Sequence, residues 1–403
     1  MSYDIDSVRA DFPALVGGSA HFDGPGGTQT PRQVIDAIAG ALSGALSNRG
    51  TITRGESSAE KAVQDARTAV AALVGGDVGG VVFGRSATQL AYDFSRWVSR
   101  RWKAGDEVVV TRLDHDSNIR PWVQAAARTG ATVRWVDFDP ETSMLDDIAD
   151  VLSSRTRLVA VTAASNLIGT KPPVAEIARA AHEADALVYV DGVHFTAHSS
   201  VDMVELGADF FTCSPYKFLG PHLGALTASP ELLETLLPDK LLPSTNQVPE
   251  RFEFGTLPYE LLAGVAAAVD YLSTMGGGSG LGTRRENLVD AFSRLEEHED
   301  ALLARLEAGL ASLPAVTVHS RAIHRTPTLL LTIDGRDTAD AYEFLAARGV
   351  DAPSSNFYAL EASRRLGLGD AGALRVGLAP YTNTDDVDRL LHGLTNFLHE
   401  PAG

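Results

Sequence analysis

The chain has 403 residues, 44% of them hydrophobic, and carries 34 basic against 52 acidic side chains for a formal net charge of −18. That length accommodates two ordinary domains around a large core, and the negative balance argues against nonspecific binding to nucleic acid or to anionic membranes. No apolar run approaches the ~20 residues that span a bilayer, Met1 to Asp6 lack the basic and apolar regions of an export signal, and the single cysteine, Cys213, rules out an intrachain disulfide, so a cytoplasmic location is expected.

In chain order, residues 5–15 form a short segment expected to pack against the C-terminal part. A helical pattern follows over 60–73, then apolar strand candidates at 81–83, 107–111, 132–135, 158–162, 187–190 and 209–213. Helical patterns at 174–184 and 203–206 lie between them. This alternation predicts a mostly parallel sheet with helices on both faces, an α/β fold. A helix over 260–274 leads out of that unit. The glycine-rich 275–283 follows a helix rather than a strand, so it is read as a connection and not a phosphate loop. A long helix over 287–313, strands at 316–319 and 328–333, a helix at 339–348, a strand at 374–378 and a final helix at 385–398 capped by Thr384 predict a smaller α+β unit. The expected division is a large unit over 16–275 and a small unit made of 1–15 and 276–403.

Lys217 is one of only five lysines, against 29 arginines. It sits in Cys213-Ser214-Pro215-Tyr216-Lys217, directly after an apolar run. A lysine in a dry turn can lose its proton and attack a carbonyl; a surface lysine after a strand is the plainer alternative. Asp191 ends the apolar run 187–190, where open α/β sheets bind ligands. A lysine and an aspartate at neighbouring strand ends are what pyridoxal phosphate requires: one carries the cofactor as a Schiff base, the other keeps its pyridine nitrogen protonated. Residues 84–89 follow a strand and open a helix, which suits a phosphate cradle built from Ser86 and the amides of Ala87 and Thr88, with the Thr88 hydroxyl; an ordinary capped helix is the alternative. Ser214 and Tyr216 offer further hydroxyls. Asp114-His115-Asp116 has no third ligand group nearby, and no cysteine/histidine spacing suits zinc, so no metal is expected.

Val8-Arg9-Ala10-Asp11-Phe12-Pro13, Phe22-Asp23, His115, Asn118, Pro121-Trp122, Ser165-Asn166, Gly169-Thr170, Asp191-Gly192, Ser214, Lys217, Arg251-Phe252-Glu253, Gly255-Thr256 and Arg375 occur in an order that resembles the class V aminotransferase family of fold type I pyridoxal-phosphate enzymes, most closely its cysteine desulfurase-like branch. The resemblance covers nearly the whole chain. It implies a seven-stranded-type sheet in the large unit and pyridoxal 5'-phosphate as cofactor. It also implies a small amino-acid substrate and a homodimer with shared active sites. Lys217 would carry the cofactor and move the proton at the substrate Cα. Asp191 would partner the pyridine nitrogen, His115 stack on the ring, and Asn166 lie near its hydroxyl. Ser86, Ala87, Thr88, Ser214 and Tyr216 would hold the phosphate with Thr256 from a second subunit, and Arg375 would grip the substrate carboxylate.

Three departures bear on the reaction. The position of the desulfurases' loop cysteine holds Tyr358, and Cys213 lies on another segment, which argues against persulfide chemistry. His194 stands where desulfurases carry a glutamine near the ring hydroxyl. Gly26 and Gly27 line the expected substrate side. The expected activity is transamination or β-elimination, including C–S cleavage, at Cα/Cβ of a small amino acid, with Tyr358 and His194 as further acids or bases. An amino-acid epimerase or racemase of the same fold, and a non-catalytic pseudoenzyme, are the alternatives.

Overall fold

The computed structural model describes residues 3–278 and 280–400. Met1 and Ser2 of the N-terminal reading, Ser279 of the glycine-rich connection and residues 401–403 of the expected small unit lie outside them. The large sheet has seven strands in the order Val81–Gly84, Gly224–Ala228, Phe210–Cys213, Leu187–Asp191, Thr156–Thr162, Glu107–Thr111 and Thr132–Val136. All neighbours are parallel except the two pairs made by Gly224–Ala228, which runs antiparallel.

Alternation along these strands builds the core. Val109, Val159, Val161, Val188 and Val190 pack on one face with Val63 and Val70 of helix Arg54–Val74, Ile177 of Val174–Glu183 and Val265 of Tyr259–Thr274. Val108, Val110, Leu158, Ala160 and Tyr189 point the other way, onto Leu90 and Phe94 of helix Ala87–Val98 and Trp122 of Arg120–Thr129. With both faces covered, the strands read as unbroken apolar runs rather than as alternating ones. Each buried valine or leucine contributes about 1.5–3 kcal/mol relative to exposure. The consequence for function is a rigid row of strand ends along one edge of the sheet.

A second, four-stranded antiparallel sheet has the order Ser354–Ser355, Ala373–Gly377, Thr328–Ile333 and Val316–Val318. Helices Arg284–Ala311, Thr338–Ala346 and Thr384–His399 supply its apolar cover through Leu306, Leu345 and Leu394. The N-terminal segment is fastened to this part: Tyr3 donates to the Pro380 carbonyl at 2.9 Å, and Arg9 pairs with Asp386 at 2.6 Å. Ala20–His21 pairs with Val350–Asp351, Asp23 bridges to Gly377, and Ala20 and Phe22 lie in this part's core.

Two local expectations are corrected. Residues 203–206 form a turn, not a helix, because the Asp202 carboxylate accepts the Val204 and Glu205 N–H groups at 3.1 Å and Gly207 follows in the left-handed region. The last helix is capped by Asn383 rather than Thr384, in a capping box with Asp386. No helix among the described residues is long and apolar enough to cross a membrane.

Candidate active site

The carboxyl ends of the central strands open into a cavity of about 670 Å³. Leu187–Asp191 delivers Asp191 to it, and the turn after Phe210–Cys213 delivers Ser214, Tyr216 and Lys217. The start of helix Ala87–Val98 delivers Ser86, Ala87 and Thr88. Gly26, His115, Asn166, His194, Tyr358 and Arg375 complete the set of expected residues that line it. Gly27 lies just behind the wall, where an added Cβ would stand 3.4 Å from the Tyr216 ring. Thr256 is exposed and does not line the cavity.

Lys217 is held in a dry place. Burial, with Arg375 nearby, pulls its amine down from its ordinary 10.5 to about 7, against the opposing pull of Asp23 and Asp191. Its Nζ donates to the Pro25 carbonyl and lies 4.9 Å from the centre of the Tyr216 ring. An amine lowered in this way loses its proton more readily, which suits a nucleophile and a proton carrier. Asp191 is buried and pushed up to about 6, with the Val193 N–H at 2.9 Å and Lys217 opposing that shift. A positive partner in the cavity would keep it ionised.

Burial lowers His115 to about 3, so its imidazole is neutral. Its Nδ1 accepts the Ser117 N–H at 3.1 Å and lies 2.7 Å from the Ser117 hydroxyl, which fixes the ring plane. His194 is likewise neutral, held well below its ordinary value by burial. Its Nε2 meets the hydroxyls of Thr326 and Thr328 at 2.9 and 3.1 Å, while Nδ1 is buried without a partner. Asn166 donates to the Phe357 carbonyl at 3.0 Å and leaves its own Oδ1 buried and unpaired.

At the phosphate end, the Ser86 hydroxyl caps the helix by accepting the Gln89 N–H at 3.1 Å. The first amides of a helix have no partner within it, and its dipole favours an anion there. Gly224 makes the close approach of its strand feasible: a Cβ would lie 2.4 Å from the Ala87 nitrogen.

Pyridoxal phosphate fits this donor set on the structure's own terms. The cavity offers a helix start for phosphate, a buried carboxylate for a cationic ring nitrogen, a depressed lysine for an aldehyde, and two unsatisfied buried polar atoms, Asn166 Oδ1 and His194 Nδ1, for a ring hydroxyl. Cys213 takes no comparable part. It is buried in the sheet, and burial with Asp191 nearby pushes its thiol up to about 12, so it holds no thiolate at neutral pH.

The sequence reading left out several lining groups, among them Tyr92, Asp116, Ser117, Val193 and Phe357. It also did not see that Asp23 pairs with Arg375 at 2.6 Å. Only the neighbouring glycine-rich run signalled that this segment approaches the site.

Fold and cavity together define a fold type I, pyridoxal-phosphate-dependent enzyme. The profile of the family described as aminotransferase class-V matches residues 20–390, and the chain belongs to that family, in its cysteine desulfurase-like part. An uncharacterized protein of Mycobacterium tuberculosis (strain CDC 1551 / Oshkosh) is 33% identical, over 98% of this chain and 100% of that one. A cysteine desulfurase of Enterobacter sp. (strain 638) is 31% identical over 99% of both chains. Among solved structures, the cysteine desulfurase CsdA of Escherichia coli superposes with a TM-score of 0.86 at 25% identity, covering 99% of each chain.

Proposed function

We propose that this protein binds pyridoxal 5'-phosphate on Lys217 and acts at Cα and Cβ of a small amino acid, by transamination or by β-elimination that includes C–S cleavage. The observation that carries this reading is the convergence of Lys217, Asp191 and Arg375 on one cavity, with the lysine amine lowered to about 7. When bound, the cofactor supplies an electron sink for negative charge at the substrate Cα. Asp191 would hold the ring nitrogen, His115 would support the ring, and Asn166 and His194 would serve its hydroxyl. Ser86, Ala87, Thr88, Ser214 and Tyr216 would hold the phosphate, joined by Thr256 of a second copy in a homodimer. Arg375 orients the substrate through its carboxylate, and Gly26 and Gly27 give the substrate room. Lys217 Nζ takes the Cα proton once the amine is free.

The cysteine desulfurase relatives favour cysteine or a related β-substituted amino acid as substrate. Sulfur transfer through a persulfide is disfavoured, because Tyr358 stands at the cavity mouth and the only thiol is buried and protonated. Epimerisation is the second reading, favoured by a hydroxyl at the mouth that could return a proton from another direction. We further propose a cytoplasmic, homodimeric enzyme with no nucleic-acid partner, divided into a unit of 16–275 and a unit of 1–15 with 276–403.

The test is a single-turnover assay of holoenzyme with a panel of L-amino acids, read by mass spectrometry of cofactor and product. Conversion of the cofactor to its amine form with release of a keto acid means transamination. Unchanged cofactor with pyruvate and a leaving group means elimination. Failure of borohydride to fix the cofactor to Lys217 would remove the reading altogether.

A further inference from the structure

Arg375 does not face the cavity with an open fork. Its guanidinium is buried; Nη2 donates to Asp23 Oδ1 at 2.6 Å and Nη1 to the Asn166 carbonyl at 3.0 Å. The Phe357 ring lies 3.6 Å from its central carbon, and Nε is buried without a partner. Nη1 and Nη2 are therefore each engaged before a substrate arrives, and a carboxylate gripped in two prongs through Nη2 would meet Asp23 there.

The two members of the ion pair differ in freedom. The arginine side chain is 2% exposed, whereas that of Asp23 is 44% exposed and lines the cavity. Asp23 owes its position to Gly26: a Cβ at that residue would stand 2.2 Å from Asp23 Oδ2. A second carboxylate arriving at Arg375 would meet Asp23 at like-charge contact distance, and two carboxylates on one guanidinium repel. Asn166 and Phe357 hold the arginine, so the aspartate is the group that yields.

Resting on the reading of Arg375 as the substrate's carboxylate grip, we propose that Asp23 is an internal stand-in for the substrate carboxylate. It holds Arg375 in register in the resting enzyme and gives up its place to the carboxylate of the incoming amino acid. Asp23 thereby becomes a specificity-determining residue. An amine without a carboxylate leaves the Asp23–Arg375 pair closed, and only a carboxylate-bearing substrate opens it. In the resting arrangement Asp23 favours the ammonium form of Lys217, so its displacement would also change the charge beside the reacting amine.

The test is calorimetric titration of holoenzyme with propionate, which has no amino group to react, and with propionamide as its neutral counterpart. Wild type is compared with Asp23→Asn, which is nearly isosteric, and with Asp23→Ser. Loss of the competing charge should tighten propionate binding about tenfold, the worth of one charge-assisted hydrogen bond, and leave propionamide unchanged. Propionate affinity that is unchanged or weaker in both variants overturns the inference, as does an equal gain for propionamide, which would mean a widened pocket. Borohydride fixation of cofactor on wild-type Lys217 separates the two levels. Fixation without a propionate gain sinks this inference alone, and no fixation removes the functional reading together with it.

Discussion

His194 Nε2 lies 2.9 Å from the hydroxyl of Thr326, a residue 132 positions away in the chain, and this contact turns the ring so that Nδ1 is left buried and unpaired. A neutral imidazole so placed offers one hydrogen-bonding position to whatever enters the cavity. His198 packs edge-on against it at 5.0 Å and is itself bonded to Glu299 at 2.9 Å, so the ring has little room to turn.

Replacing His194 with alanine is expected to weaken cofactor retention about tenfold, the worth of one buried hydrogen bond to a charged or polar partner. Glutamine, which keeps a hydrogen-bonding side chain, should restore most of it. Equilibrium dialysis of the cofactor, with its absorbance spectrum as a second readout, checks both. Equal retention by the alanine and wild-type proteins would show that Nδ1 has no partner in the holoenzyme.

The location of the site was legible in the sequence because the strands are buried on both faces. Val108 to Val110 and Val188 to Val190 form unbroken apolar runs, and a carboxylate at the end of such a run stands out. What was not legible depends on contacts between distant segments. Asp23 and Arg375 are 352 residues apart, and no local pattern announces their pairing. The same holds for Thr326 and Thr328 behind His194. The strand Gly224–Ala228 went unread for a different reason: its small residues give no clear apolar run, and it runs against the parallel order of its neighbours. The apparent helix at 203–206 failed because a side-chain carboxylate competes with helical hydrogen bonds for the local N–H groups.

Lys217 predicts a pH dependence whose sign is fixed. Its folded value of about 7 lies below its ordinary 10.5, so between these limits the unfolded chain binds more protons than the folded one. Stability from this group therefore rises with pH across that window and is lost as pH falls through about 7. In the cofactor-free protein, the stability difference between wild type and Lys217→Met should shift in favour of wild type from pH 7 to pH 10, measured by urea denaturation. A difference that is flat with pH would mean that the lysine is better solvated than its surroundings imply.

Cys213 tests the exclusion of persulfide chemistry. Its thiol is buried and held protonated, so iodoacetamide should label it only after unfolding, and Cys213→Ala should retain turnover. Rapid labelling of native protein, or loss of turnover with the cofactor still bound, would restore the thiol to the mechanism.

Tyr358 stands at the cavity mouth with its side chain 74% exposed, its ring 5.7 Å from that of His115, and its backbone, like that of Phe357, in the left-handed region. Its hydroxyl contributes nothing to the fold, so Tyr358→Phe should leave stability within about 0.5 kcal/mol of wild type. As a proton carrier it should nonetheless matter to turnover, by about 100-fold or more if it acts as a general acid or base in the slow step. Unchanged kcat in Tyr358→Phe would remove it from the mechanism.

The last prediction concerns what holds the phosphate end in place. Arg67, buried inside the sheet's cover, donates to Glu253 at 3.0 and 2.8 Å, and the same carboxylate accepts the Phe83 N–H at 2.8 Å. This ties the segment leading to Thr256 against the strand that precedes Ser86, Ala87 and Thr88. Burial raises Glu253, and Arg67 is the main counterweight to that rise. Arg67→Met should therefore leave a buried carboxyl without its cation and cost about 3–5 kcal/mol. The double variant Arg67→Met with Glu253→Leu should recover part of that loss, because an apolar pair of similar volume replaces the stranded charge. Urea melts of the two proteins decide the matter. A double variant no more stable than the single one would show that the backbone bond to Phe83, rather than the ion pair, is what this carboxylate is there to make.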